Sequence, residues 1–119
     1  MPEDDPQQDE PNRSEAKARY KQGFDLFVQG EVAEAILRYH EAIDLQPDLA
    51  IAWNGLSMAL ARLGDLDEAI AAAEKLVELE PEDPLSHTNL SRILMQKGMI
   101  PEAEDARAKA MGLQMRQDG

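Results

Sequence analysis

Residues 53–81 read WNGLSMALARLGDLDEAIAAAEKLVELEP, and an apolar periodicity runs on each side of Gly64. Leu56, Leu60 and Leu63 recur at spacings of four and three before the glycine, and Ala69, Ala73 and Leu76 do so after it. This is the period of an α-helix with one buried stripe, so the stretch predicts two helices joined by a glycine turn, and no strand. Gly64 stands where a chain leaving the first helix can adopt a left-handed cap, and Asp65 to Glu68 behind it reads as a capping box for the second. Pro81 closes that second helix, because proline cannot continue it.

Beyond this stretch, a shift of 34 residues lays the chain on itself three times. Gly30, Gly64 and Gly98 align, as do Ala35, Ala69 and Ala103, and Leu45, Leu79 and Leu113. The same shift matches Leu26, Leu60 and Leu94, the small residues Gly23, Ser57 and Ser91, and the branched Val32, Leu66 and Ile100. Pro47 falls where Pro81 does, and Pro84 and Pro101 suit a first helical turn, where the missing N–H costs nothing. Repeats are therefore expected at about 16–49, 50–83 and 84–117, within one domain spanning 14–117.

Residues 1–13 differ in kind, with three prolines and five carboxylates (Glu3, Asp4, Asp5, Asp9, Glu10) against Arg13. Nothing there can build a core, so a disordered acidic tail is expected, with a second reading in which it folds back to compete for a binding groove.

Across 119 residues, 24 Asp and Glu outnumber 12 Lys and Arg, for a net charge of −12, which argues against a nucleic-acid partner. Without cysteine there is no disulfide, thiolate metal site or thiol nucleophile. The N-terminus shows no basic region followed by an apolar run, and no stretch is apolar enough for a membrane span, so a cytoplasmic protein with no membrane partner is expected. His40 and His87 lie 47 residues apart on different helix types; His87 is expected to be a packing residue and His40 to face solvent. The acidic run Glu78, Glu80, Glu82 and Asp83 lacks the alternation of a calcium loop and reads as a solvated face. No phosphate loop, nucleophile elbow or ligand set is present, so no catalytic residue, metal or cofactor is expected.

The chain resembles the tetratricopeptide repeat family, whose pattern the second copy matches with Trp53, Leu56, Ser57, Leu60, Ala69 and Pro81. The aromatic expected four residues after the alanine is Tyr39 in the first copy, but Ala73 and Arg107 stand there in the others. The resemblance implies an all-α fold, a right-handed α-solenoid of three helix-turn-helix repeats with six or seven helices. Arg19 and Gln22 replace Trp53 and Leu56 in the first copy, and Glu104 and Arg107 replace Ile70 and Ala73 in the third, as end repeats turning polar should. A competing reading has Ala103, Ala106, Ala110 and Leu113 exposing an apolar strip through which chains stack as homo-oligomers.

By analogy with the family, first helices line a concave face. The inward positions are Lys17, Tyr20, Lys21, Phe24, Phe27 and Val28, then Ile51, Asn54, Gly55, Met58, Ala61 and Arg62, then Leu85, Thr88, Asn89, Arg92, Met95 and Gln96. None is Asp or Glu, where an even spread would place roughly three or four. Basic side chains interleave with aromatic and methionine residues, and Tyr20, Phe24 and Phe27 are expected to form a continuous aromatic strip. The second possibility is that first helices are acid-poor merely through burial. The expected partner is a protein or peptide segment with apolar anchors and acidic flanks, held by an adaptor, scaffold or chaperone-like module. A self-assembling scaffold is the alternative, and an enzyme the third reading. The two-carboxylate clamp by which many family members hold chaperone C-termini would fall on Tyr20, Phe24, Gly55, Leu85 and Asn89, and no position matches. The apolar trough is closer to small three-repeat bacterial chaperones of secreted proteins.

Overall fold

In the computed structural model, which describes residues 6–119 with side chains from residue 12, the chain forms three helical hairpins. Six helices run in order among the described residues: α1 (Pro6–Val28), α2 (Val32–Leu45), α3 (Ala50–Leu63), α4 (Leu66–Leu79), α5 (Pro84–Lys97) and α6 (Ile100–Asp118). The fold is an all-α solenoid of three repeats.

One turn is used three times. Gly30, Gly64 and Gly98 carry φ of 88°, 88° and 90°, the left-handed region a side chain would strain. In each turn the next residue's N–H reaches back across the cap: Glu31 to Leu26 at 2.8 Å, Asp65 to Leu60 and Met99 to Leu94 at 2.9 Å. The orphan carbonyls of the first helix are thus satisfied by the turn's backbone. The capping box expected at Asp65 does not form, since its side chain makes no cap bond to α4 at φ −81°, ψ 70°. The tight turn fixes Asp65 as a backbone donor to Leu60 instead. Asp83 does cap α5, accepting from Leu85 N–H at 3.0 Å with Pro84 in the first turn.

Hairpins are tied to one another by a second recurring device. Trp53 Nε1 donates to the Pro47 carbonyl at 2.7 Å, and His87 Nε2 makes the same bond to the Pro81 carbonyl at 2.8 Å. His87 is buried, a packing residue as its column predicts, while His40 is exposed. In the first copy Arg19 takes the place of the tryptophan and bonds Glu15 at 2.7 Å and Glu41 of α2 at 2.8 Å, closing that end of the stack with ions.

Small residues set the helix spacing. Ala16, Ala35, Ala69 and Ala103 are wholly buried, and Ser91 Oγ donates to the Ala103 carbonyl at 2.8 Å. The strip Ala103, Ala106, Ala110 and Leu113, exposed in the competing reading, is buried, because α6 turns it onto α5. The large exposed apolar residues of α6 are Met111 and Met115, with Ile100 at its start.

The expected boundary between tail and repeats, at 13/14, falls inside α1, whose backbone is helical from Pro6. Proline suits a helix start, where its missing N–H costs nothing. Residues 1–5 of the expected tail, and the fold-back reading that depends on them, lie outside the described residues.

Candidate functional site

Curvature places the site. Among the described residues α1 meets α3 and α3 meets α5, while neither α2 and α4 nor α4 and α6 come together. First helices therefore crowd the inside of the arc and second helices splay on its outside.

Seven of the eighteen expected inward positions converge on one recess of about 300 Å³: Phe27 from α1, Met58, Ala61 and Arg62 from α3, and Asn89, Arg92 and Gln96 from α5. The Arg62 guanidinium carbon lies 4.7 Å from the centre of the Phe27 ring, so the cation covers an aromatic face and is held by it. Neither Arg62 nor Arg92 pairs with a carboxylate among the described residues, and the recess wall contains none. Lys17 and Lys21 are exposed on α1, outside the recess.

The aromatic strip is not continuous. Tyr20 stacks on Phe24 with ring centres 6.3 Å apart and leans on Tyr39 at 5.8 Å, while Phe27 sits under Arg62. At 100° per residue, positions 24 and 27 diverge by about 60° around the helix, enough to send the rings to different neighbours. Phe24 remains half exposed, at 49%, and Met58 and Met95 are open as well. Thr88 and Met95 line a separate opening between α5 and α6, which Arg92 also borders.

Asn89 is more a joint than a contact residue. It is buried and donates through Nδ2 to Asn54 Oδ1 at 3.1 Å and to Ser57 Oγ at 2.8 Å, binding α5 to α3. Gln96 does similar work, donating to the Ala61 carbonyl at 3.1 Å. Its presence in the recess was readable from its column but not its bond.

Acidic charge lies elsewhere in the molecule: 11 of the 24 Asp and Glu are on α2, α4 and α6, and α3 and α5 carry none. Arg19 and Arg38 converge on Glu41, whose carboxyl is held below its usual value, first by the Arg19 bond. Among the described residues no three His, Asp or Glu side chains gather as metal ligands, and no helix is long and apolar enough to cross a membrane.

A curved stack of helical hairpins with an acid-free recess between its first helices defines a helical repeat protein. The comparisons narrow this further: one tetratricopeptide repeat model matches residues 20–84 and a second matches 60–111. The chain belongs to the tetratricopeptide repeat family.

Among solved structures, MamA is similar at 27% identity and TM-score 0.82, over 87% of this chain and 60% of that one. The chain thus spans 60% of the MamA chain it matches. The Yersinia enterocolitica type III secretion translocator chaperone SycD, in an alternative dimer, is 22% identical with TM-score 0.79, over 84% of this chain and 76% of that one. The second repeat domain of Spaghetti (RPAP3), bound to the HSP90 peptide SRMEEVD, is 18% identical with TM-score 0.80, over 87% and 95%. The last two likenesses bear on the fold alone. A search of curated proteins returns no match.

Proposed function

We propose that this chain is a protein-interaction module, an adaptor or chaperone-like holder that takes a segment of another polypeptide along its first-helix face. The segment carries apolar anchors and acidic flanks. One observation carries this reading: the recess of Phe27, Met58, Arg62 and Arg92 offers two uncompensated guanidinium groups over an apolar floor, in a chain of net charge −12. Arginine, methionine and aromatic side chains are the types that anchor interface cores, and a guanidinium without an internal partner is free to pair with a carboxylate bidentately. A protein of the same fold, the second repeat domain of Spaghetti (RPAP3), holds a peptide. The chemistry differs from a two-carboxylate clamp, since Tyr20, Phe24, Gly55 and Leu85 occupy its places.

The test is fluorescence anisotropy with labelled peptides that pair two apolar anchors with flanking Asp or Glu, against the same peptides flanked by Lys. Acid-flanked peptides are expected to bind and Lys-flanked ones not. Phe24→Ala and Arg62→Glu each weaken binding by about tenfold, near 1.4 kcal/mol. Equal binding of both peptide sets, or indifference to both substitutions, overturns the reading.

A further inference from the structure

The third hairpin leaves open a surface that the first two keep covered. Shifting by 34 and by 68 residues carries the groove between α5 and α6 onto those between α3 and α4 and between α1 and α2. In both of those places the next first helix lies in the groove. Arg107 has Tyr39 and Ala73 as counterparts, which are 1% and 0% exposed, whereas Arg107 is exposed. Met111 is 55% exposed against 8% for its counterpart Ile43, and Leu85 on the opposite wall is 72% exposed. The result is a trough of about 460 Å³ with an apolar floor and arginines 92 and 107 at its sides.

The local chain does not cover it as it covers the others. α2 and α4 are 14 residues each and stop before Pro47 and Pro81, whose carbonyls then receive Trp53 and His87 from the helix folding back. The corresponding residue 115 is Met, and α6 runs straight through it for 19 residues, with the Met115 carbonyl accepting from Gly119 N–H at 2.9 Å. The turn that would lay a further helix into the trough is replaced by helix.

Charge selects the occupant. Neither Arg92 nor Arg107 has a carboxylate partner among the described residues, and no Asp or Glu lines the trough. A second copy offers the wrong chemistry in either orientation. Where α3 presents Trp53 and Leu56 to the preceding hairpin, α1 presents Gln22 and an Arg19 already committed to Glu15 and Glu41. Two troughs meeting face to face would bring four arginines together without an acid between them.

We infer that the α5–α6 face docks an amphipathic helix of another protein, one with small or apolar residues against Ala110 and Met111 and a carboxylate opposite Arg107. This does not depend on the concave reading. The two surfaces share Arg92, so Arg107 and Met111 report on the trough and Arg62 on the recess.

The structure supplies its own probe. α3 fills the first groove, and its Gly55 lies on the Tyr39 ring, where an added Cβ would stand 2.7 Å from the ring carbons. Because Arg107 takes the place of Tyr39, a residue at position 55 of an α3 peptide faces Arg107. Fluorescein-labelled, stapled peptides of residues 47–64, one with Gly55→Glu and one with Gly55→Lys, are titrated with the full chain, the staple overcoming the weak helicity of a short peptide. The Gly55→Glu peptide is expected to bind about tenfold more tightly than the Gly55→Lys peptide. Arg107→Glu reverses that preference, Met111→Glu abolishes binding of both, and Arg62→Glu alters neither. Both trough positions are exposed, and unchanged thermal unfolding of the variants separates a lost surface from a lost fold. Absence of binding by the Gly55→Glu peptide, a preference unmoved by Arg107→Glu, or binding lost with Arg62→Glu and kept with Met111→Glu overturns the inference. So does a wild-type dimer in sedimentation that Met111→Glu dissolves, because a second copy would then own the face.

Discussion

Tyr39 is the largest of the fully buried side chains, 1% exposed, and it is held between two glycines. A Cβ on Gly23 would come 2.8 Å from its ring and one on Gly55 2.7 Å, so α1 and α3 close on it with bare backbone. In an exposed helix, Gly to Ala gains stability by about 1 kcal/mol through propensity. Here the sign reverses: Gly55→Ala is expected to lose about 1–3 kcal/mol, the cost of overpacking, read from urea unfolding. Burial also pushes the Tyr39 hydroxyl from 10.0 up to about 12, with Tyr20 adding to the effect. The folded state thus holds this proton more tightly than the unfolded one. Its contribution is complete below pH 10 and is lost as pH rises to about 12. Alkaline titration of tyrosinate absorbance should show Tyr39 ionising together with unfolding, and Tyr39→Phe should remove that step. This packing is not legible in the sequence. Tyr39 is visible there as an aromatic in its column and Gly55 as an inward position, but the pairing needs the crossing of α1, α2 and α3.

At the level of the helices, turns are the most readable feature and caps the least. Gly30, Gly64 and Gly98 recur at fixed spacing because each must take a positive φ, a demand that shows in residue type. The box at Asp65 meets its pattern and fails in geometry, since a side chain can cap only where its backbone is extended, as at Asp83 with φ −91° and ψ 115°. The two aspartates therefore behave differently on truncation. Asp83→Ala is expected to cost about 1 kcal/mol and Asp65→Ala less than about 0.5 kcal/mol, measured by urea unfolding of each variant. The open face of the last hairpin has a signal too, in the change from Tyr39 and Ala73 to Arg107 and from Ile43 and Val77 to Met111. The columns by themselves suggest only a polar cap, because exposure on an end helix depends on whether another helix packs over it, which no single column states.

Across the three hairpins together, the 34-residue period makes the fold readable, since each hairpin buries its stripe only against the next and must repeat that stripe in register. The inner face is readable in part. Arg62, Met58, Phe27 and Arg92 converge because first helices share an orientation, whereas Asn89, on the same recess wall, commits its amide to hydrogen bonds across the joint. Net charge adds a kinetic expectation. At separations beyond the Debye length, about 8 Å in physiological salt, an acidic peptide meets a chain of charge −12 and is not steered toward it. Attraction begins only at contact with the recess. Arg62→Glu should therefore raise the dissociation rate by about tenfold and leave the association rate within about threefold, by stopped-flow mixing.

The ends of the arc are unlike. One is sealed by Arg19 with Glu15 and Glu41, the other lies uncovered along Met111 and Leu85. An unlimited head-to-tail fibre requires every unit to carry both a plug and a socket. Among the described residues there is a socket without a matching plug, so copies of this chain lack the paired surfaces that unlimited head-to-tail stacking needs.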